Sequence, residues 1–470
     1  MKNLALFSVG LLLIFLVSAG CFGDNPNNNH MNNQTIQNNQ TQIVQNTTNI
    51  TMSNITINYS IRFGVGGYIY PDKYSTDTEL YAATKEVDKL GYVWLRHPGG
   101  GIAWYEIQPT KSSWDFSKLD AVINNNKHPW IIPVYGMVGN VYPFGGFSTD
   151  YLRSLTNKPD VMQYITSHTT NLSDSQQKID AELFVKTLVS RYKDQIDYWE
   201  IGGNEGLPAP EKFDIIYNTY PWIKEIDPDS KVLLTANCGD GDWAFYDNIN
   251  ALDTILSKGA QNSFDIANFH YYGYLNGDFE ERLEERYDEY KAILDKHDID
   301  KPIWVTETST CSSNSSQISP GGTEERQAKD VVKRLAIFSA KGAEKVFWYS
   351  YGDHTPNDLF YGCSLMSWTG PKPAYYTFKL VVDKIGFFKT ATKLQGDNVW
   401  LFEFVNQDNK KVFIGWAKTP ETIDMSNYTT SDKVFITHII EDRINTEPEI
   451  EIVQTNNLEL TDSPIFIEVK

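Results

Sequence analysis

The sequence predicts an α/β chain: a (β/α)8 (TIM) barrel followed by a small antiparallel β-sandwich. Three observations carry that expectation. Short apolar runs alternate with amphipathic stretches from Ile61 to about Ile385, the pattern of βαβ units around a parallel sheet. The runs number eight, which suits closure into a barrel. After Phe388 the helical period disappears and apolar residues recur at every second position.

The strands are expected at Ile61 to Gly66, Tyr92 to Arg96, Trp130 to Tyr135, Tyr198 to Gly202, Val232 to Asn237, Ile266 to His270, Ile303 to Glu307 and Val346 to Tyr351. Helical periodicity is clearest at Thr78 to Leu90, Asp180 to Tyr192, Glu280 to Lys296, Glu324 to Lys341 and Ala374 to Lys384. In such a barrel, chemistry sits at the C-terminal ends of the strands. The longest connection, Gly136 to Ser175, follows the third strand and is expected to be a lid or subsite wall, with a plain surface insertion as the alternative. Past Phe388 the strands are expected at Val399 to Val405, Val412 to Ala417, Val434 to His438, Ile450 to Val453 and Ile465 to Val469, broken by turn residues such as Asp408-Asn409. A separate carbohydrate-binding module is the alternative for this segment.

The chain opens with Lys2, a mainly apolar run from Leu4 to Val17, and Ser18-Ala19-Gly20-Cys21. This resembles a prokaryotic lipoprotein signal, which implies lipid attachment at Cys21. An uncleaved membrane anchor is the alternative. Either way the remainder is expected outside the cytoplasm, with the membrane as a partner. Gly23 to Ser60 is rich in Asn, Gln and Thr and reads as a linker unable to bury a core. It carries glycosylation sequons at Asn33, Asn39, Asn46, Asn49, Asn54 and Asn58, which such a composition also produces by itself. The expected organisation is therefore 1–21 signal or anchor, 22–60 linker, 61–387 barrel and 388–470 sandwich.

A formal charge of -19 argues against nucleic acid and against a strongly polyanionic substrate, which the summed field would repel. Twelve Trp and 27 Tyr suit a protein that stacks sugar rings, although filling a large core explains many of them equally well. Besides Cys21 there are Cys238, Cys311 and Cys363. One disulfide, Cys311 with Cys363 pinning neighbouring loops, is the preferred reading and three free thiols the alternative; the spacing does not suit zinc.

Two motifs drive an apolar strand into a glutamate: WEIGGNEG at Trp199 to Gly206 and WVTET at Trp304 to Thr308. A carboxylate at such a place is costly unless it is used or paired. Glu205 follows the fourth strand and Glu307 ends the seventh. Here the sequence resembles the retaining glycoside hydrolases of clan A, and LRHPGG at Leu95 to Gly100 is most similar to their β-xylosidase and arabinofuranosidase branches. The resemblance implies Glu205 as acid/base and Glu307 as nucleophile of a double displacement, with the carboxyls about 5–5.5 Å apart. It further implies Arg96, Asn204, His270, Tyr272 and Trp348 as substrate-site residues. Asn204 would bond the sugar 2-hydroxyl, and Trp348 would floor the subsite of the cleaved sugar, with a core role as its alternative. Arg96 and Tyr272 are expected to favour the ionised form of Glu307, and burial together with that charge to keep Glu205 protonated. For His270 a structural role is the stronger alternative. Glu200, inside the strand, reads as a buried paired carboxylate.

No cofactor and no metal are expected. Asp240-Gly241-Asp242 lacks the further ligands of a calcium loop, and no nucleophile elbow or phosphate-binding glycine loop stands in a strand-to-helix setting. The expected activity is hydrolysis of O-glycosidic bonds in an extracellular oligo- or polysaccharide. Transglycosylation at the same site, a surface lectin without turnover and a structural envelope protein are the alternatives.

Overall fold

The computed structural model describes residues 61–67, 86–96, 104–108, 112–124, 127–134, 175–201, 209–235, 249–273, 278–313, 322–353 and 360–469. The described residues cluster as one compact unit. Eight parallel strands close on themselves: β1 (Phe63–Gly66), β2 (Trp94–Arg96), β3 (Trp130–Pro133), β4 (Tyr198–Ile201), β5 (Lys231–Thr235), β6 (Ile266–His270), β7 (Ile303–Thr308) and β8 (Lys345–Tyr349), with β8 pairing back onto β1. Nearly every strand residue is buried, so these strands read as continuous apolar runs rather than alternating ones.

The described helices around the strands are α1 (Trp104–Ile107), α2 (Ser117–Ile123), α3 (Ser175–Tyr192), α4 (Ala209–Ile226), α5 (Asn250–Ser257), α6 (Phe279–Lys296), α7 (Glu324–Lys341) and α8 (Pro373–Ile385). Helix α7 shows why its ends fall where they do. The Thr323 hydroxyl accepts from the Arg326 amide at 3.0 Å, Glu324 and Glu325 occupy the positive first turn, and Gly342 stops the helix at φ +107°. Helices α1, α2, α4 and α5 fall outside the expected set: the first two and α5 are short, and α4 carries Pro221 in its interior, which reads as a helix breaker. Of the helix expected at Thr78 to Leu90, only the last five residues are described, and the loop Gly136 to Ser175 lies almost wholly outside the described residues.

At the N-terminal end of the barrel, Lys345 lies between the rings of Trp94 and Trp304, 4.9 and 5.2 Å from their centroids, and Tyr198 meets Trp94 edge-on. This aromatic plug closes the bottom of the barrel, where stability rather than chemistry is built.

The C-terminal region is an antiparallel sheet of β11 (Phe388–Gln395), β12 (Val399–Asn406), β13 (Lys411–Ala417), β15 (Lys433–His438), β16 (Ile450–Gln454) and β18 (Ile465–Glu468), ordered β11-β12-β13-β18-β15-β16. A short pair, β14 (Glu421–Ile423) with β17 (Leu458–Leu460), contributes Ile423, Leu458 and Leu460 to the core on one of its faces. A hairpin of β9 (Met366–Ser367) and β10 (Gly370–Pro371) precedes α8. Strand alternation explains why both faces of the sheet are apolar. Val399, Leu401, Phe413, Ile465 and Ile467 enter the sandwich core, whereas Trp400, Phe402, Phe404, Ile414, Trp416 and Phe466 join the core of the barrel. Polar contacts finish the seam: Lys333 of α7 reaches Glu280 at 3.0 Å and Asp462 at 2.9 Å, and the Trp416 indole donates to Glu280. The sheet is thus a wall of the barrel rather than a detached module.

Candidate active site

Arg96, the last residue of β2, sends its guanidinium across the barrel. Nε and Nη2 donate to the two oxygens of Glu200 at 2.6 and 2.9 Å, and Nη1 donates to Glu307 Oε1 at 2.6 Å. Bidentate geometry of this kind gives both strength and fixed orientation. Glu200 lies inside β4 and is buried. It also accepts from the Thr235 hydroxyl and, at 3.3 Å, from Asn268 Nδ2. Burial alone would raise its carboxyl, but the Arg96 charge and these hydrogen bonds outweigh that and hold it at about 2. The Arg96 guanidinium is correspondingly held in its charged form: burial opposes the charge, and the two carboxylates more than offset it. Glu200 is the buried paired carboxylate that its place within the strand implies.

Glu307 reaches the axis through an irregularity. The register of β7 slips against β8 between Val305 and Thr308, and that of β6 slips between Phe269 and His270. A bulge re-aims the side chain that follows it, and consecutive residues Thr306 and Glu307 both meet polar partners. Thr306 accepts from Asn268 at 2.7 Å. Glu307 takes Arg96 on Oε1, while its Oε2 accepts from the Tyr272 hydroxyl and stands 3.4 Å from His270 Nδ1. Both carboxylate oxygens are therefore oriented, and Glu307 is 6% exposed.

Tyr272 is steadied by an aromatic cluster. Its ring meets Phe360 at 5.4 Å and Tyr349 edge-on at 6.4 Å, and the Cys311–Cys363 disulfide belongs to the same cluster. The bond joins the segments that follow β7 and β8. Tyr349 presses against Gly67, whose φ of +58° and missing Cβ leave room for the ring.

Of the expected site residues, Arg96, His270, Tyr272 and Glu307 come together on one carboxylate. Trp348 stands otherwise: it is fully buried and its indole donates to the Cys363 carbonyl at 3.0 Å, so it offers no open face. Successive strand residues point to opposite sides, and the β8 aromatic that packs on Tyr272 is Tyr349. Asn204, Glu205 and Cys21, like Asp240 and Asp242, lie outside the described residues. Thr235, Asn268, Thr306 and Tyr349 were not singled out from the sequence. Short polar residues inside apolar strands were the available signal, since a buried polar group needs a partner.

Residues 221–369, from within α4 to the β9–β10 hairpin and including Glu307, match the family model described as the glycosyl hydrolase catalytic core. The matched segment, about a third of the chain, is therefore similar to the catalytic core of glycosyl hydrolases. Among solved structures, the chain is similar to a family 39 glycoside hydrolase from Bacteroides cellulosilyticus WH2, with 17% identity over 87% of this chain and 81% of that one and a TM-score of 0.58. It is also similar to the α-L-arabinofuranosidase of Thermotoga maritima, at 12% identity over 87% and 96% of the two chains, TM-score 0.54. CelM2, a bifunctional glucanase-xylanase from a metagenome library, stands at 13% identity with the same coverage and TM-score. At such identities these three likenesses speak for the fold. No curated protein matches the sequence.

Proposed function

We propose that this chain is a retaining glycosidase that cleaves a neutral or weakly charged oligosaccharide by double displacement, with Glu307 as nucleophile and Glu205 as acid/base. The observation that carries the reading is Glu307 itself, next to last in β7 at the C-terminal end of the barrel, with one oxygen on Arg96 and the other on Tyr272. A nucleophilic carboxylate must meet the anomeric carbon along one line, and two fixed donors hold it to one orientation. Water then hydrolyses the glycosyl-enzyme with Glu205 as base. Asn204 takes the sugar 2-hydroxyl, His270 borders the same carboxylate, and Tyr349 rather than Trp348 supplies the aromatic face beside it. The same reading takes Cys21 as a lipid anchor that holds the barrel outside the cell, a point that mass analysis of the mature N-terminus decides.

The test is hydrolysis by residues 61–470 of aryl β-xyloside, β-glucoside, β-mannoside, β-galactoside and α-arabinofuranoside, with Glu205→Gln and Glu307→Gln as controls. Turnover lost in both variants supports the assignment and names the sugar. Turnover retained by Glu307→Gln overturns it. Sugar binding without product would favour a lectin.

A further inference from the structure

Helix α7 turns a polar stripe toward the barrel. Gln327, Asp330 and Arg334 recur at helical spacing and are all fully buried, where a helix packed between two apolar layers ordinarily carries aliphatic side chains. Their acceptors and donors lie mainly on the segments around Glu307. Arg334 donates to Thr308 Oγ1 at 2.9 Å, to Thr310 Oγ1 at 3.1 and 3.2 Å, and to the backbone carbonyl of Tyr272. Asp330 accepts from the Thr310 hydroxyl at 2.7 Å. Gln327 donates to the carbonyls of Thr310 and Gly362 at 2.7 and 2.9 Å.

We propose that Arg334 is a positioning residue of the site: one guanidinium ties the strand end just after Glu307 to the backbone of Tyr272, whose hydroxyl donates to Glu307. The inference rests on the reading of Glu307 as nucleophile. Thr308 is the next residue after Glu307, so Arg334 grips both sides of the Tyr272–Glu307 contact and sets its geometry from behind. A planar group with five donors can hold these acceptors at once, which a lysine ammonium cannot. A stripe that served only to dock the helix would affect stability and leave turnover per folded molecule alone.

The test compares wild type, Arg334→Gln and Arg334→Lys in the full chain, on the aryl glycoside that the wild type cleaves, alongside hydrogen exchange of peptides covering 271–273 and 308–311. In Arg334→Gln, kcat is expected to fall about 10- to 100-fold with KM nearly unchanged, as for a slightly misplaced reacting group. Arg334→Lys should recover part of it. Exchange should rise in those two peptides and stay level in 399–417. An unchanged kcat per folded molecule, or exchange rising evenly over the barrel, overturns the proposal. If Arg334→Gln does not fold, Thr308→Val removes one acceptor while keeping the shape: a lower kcat supports the proposal and an unchanged one overturns it. A wild type silent on every glycoside counts against the glycosidase reading, and the exchange pattern still decides whether Arg334 orders the two segments.

Discussion

Arg96 Nη1 stands 2.6 Å from Glu307 Oε1, while the other two nitrogens of the same guanidinium hold Glu200. One cation therefore links two carboxylates from different strands. The bidentate hold of the buried Glu200 on Arg96 thereby fixes the donor that meets Glu307.

Tyr272→Phe removes one hydroxyl and leaves the ring in its cluster. A hydrogen bond to a charged group contributes about 1.5–3 kcal/mol, so kcat/KM is expected to drop roughly 10- to 100-fold with little change in melting temperature. Steady-state kinetics beside thermal unfolding separates the two effects.

Glu200 makes acid stability predictable. Its carboxyl lies at about 2 in the folded chain against an ordinary value of 4.5, so the unfolded chain binds the proton first as pH falls. Its contribution is complete above about 4.5 and is lost as the pH falls toward 2. Glu200→Gln should lower stability near neutrality by about 3 kcal/mol, because Arg96 loses a buried partner, and should flatten the acid dependence. Denaturant unfolding at a series of pH values checks both.

Lys345 acts in the opposite range. Burial lowers its ammonium to about 8 from 10.5; Glu344 pushes it up and Arg62 pushes it down by less than burial does. Between those values the unfolded chain keeps a proton that the folded chain has released, so stability from this group rises with pH through the window. Lys345→Met should remove that rise. Unfolding free energies at pH 8 and pH 10, compared with wild type, should show it.

The Cys311–Cys363 bond closes a loop of 52 residues beside Tyr272 and Tyr349. The double variant Cys311→Ser, Cys363→Ser is expected to lose about 2–4 kcal/mol of stability. A reducing agent should shift the wild-type melting curve the same way and leave the variant unmoved.

A fragment ending at Ile385 loses Trp400, Phe402, Phe404 and Trp416 from the barrel core. It is expected to aggregate or to keep far-ultraviolet but not near-ultraviolet circular dichroism. A soluble, cooperatively melting fragment would show that the sheet is dispensable.

The barrel was legible because eight apolar runs at regular intervals admit few arrangements, and Glu307 because an acid ending such a run has no cheap place to go. Other elements were hidden for specific reasons. Strand β11, FKTATKLQ, is a partly exposed edge strand and carries little apolar signal. In α7 the sequence EERQAKDVVKRLAIFSAK places Gln327, Asp330 and Arg334 among charges that read as a solvated face. They are buried because that stripe faces the segments that follow β6, β7 and β8 rather than solvent.

What the sequence determined by itself was period and punctuation: strand, helix, the change to alternation after Phe388, and acids at strand ends. These are local, set by the residues within a turn or two of each position. What only the tertiary structure decided was partnership: Arg96 shared between Glu200 and Glu307, Tyr349 rather than Trp348 beside Tyr272, and Arg334 behind them both. Arg96 and Glu307 are 211 positions apart in the chain, and no local preference encodes which side chains a closing barrel brings within hydrogen-bonding distance.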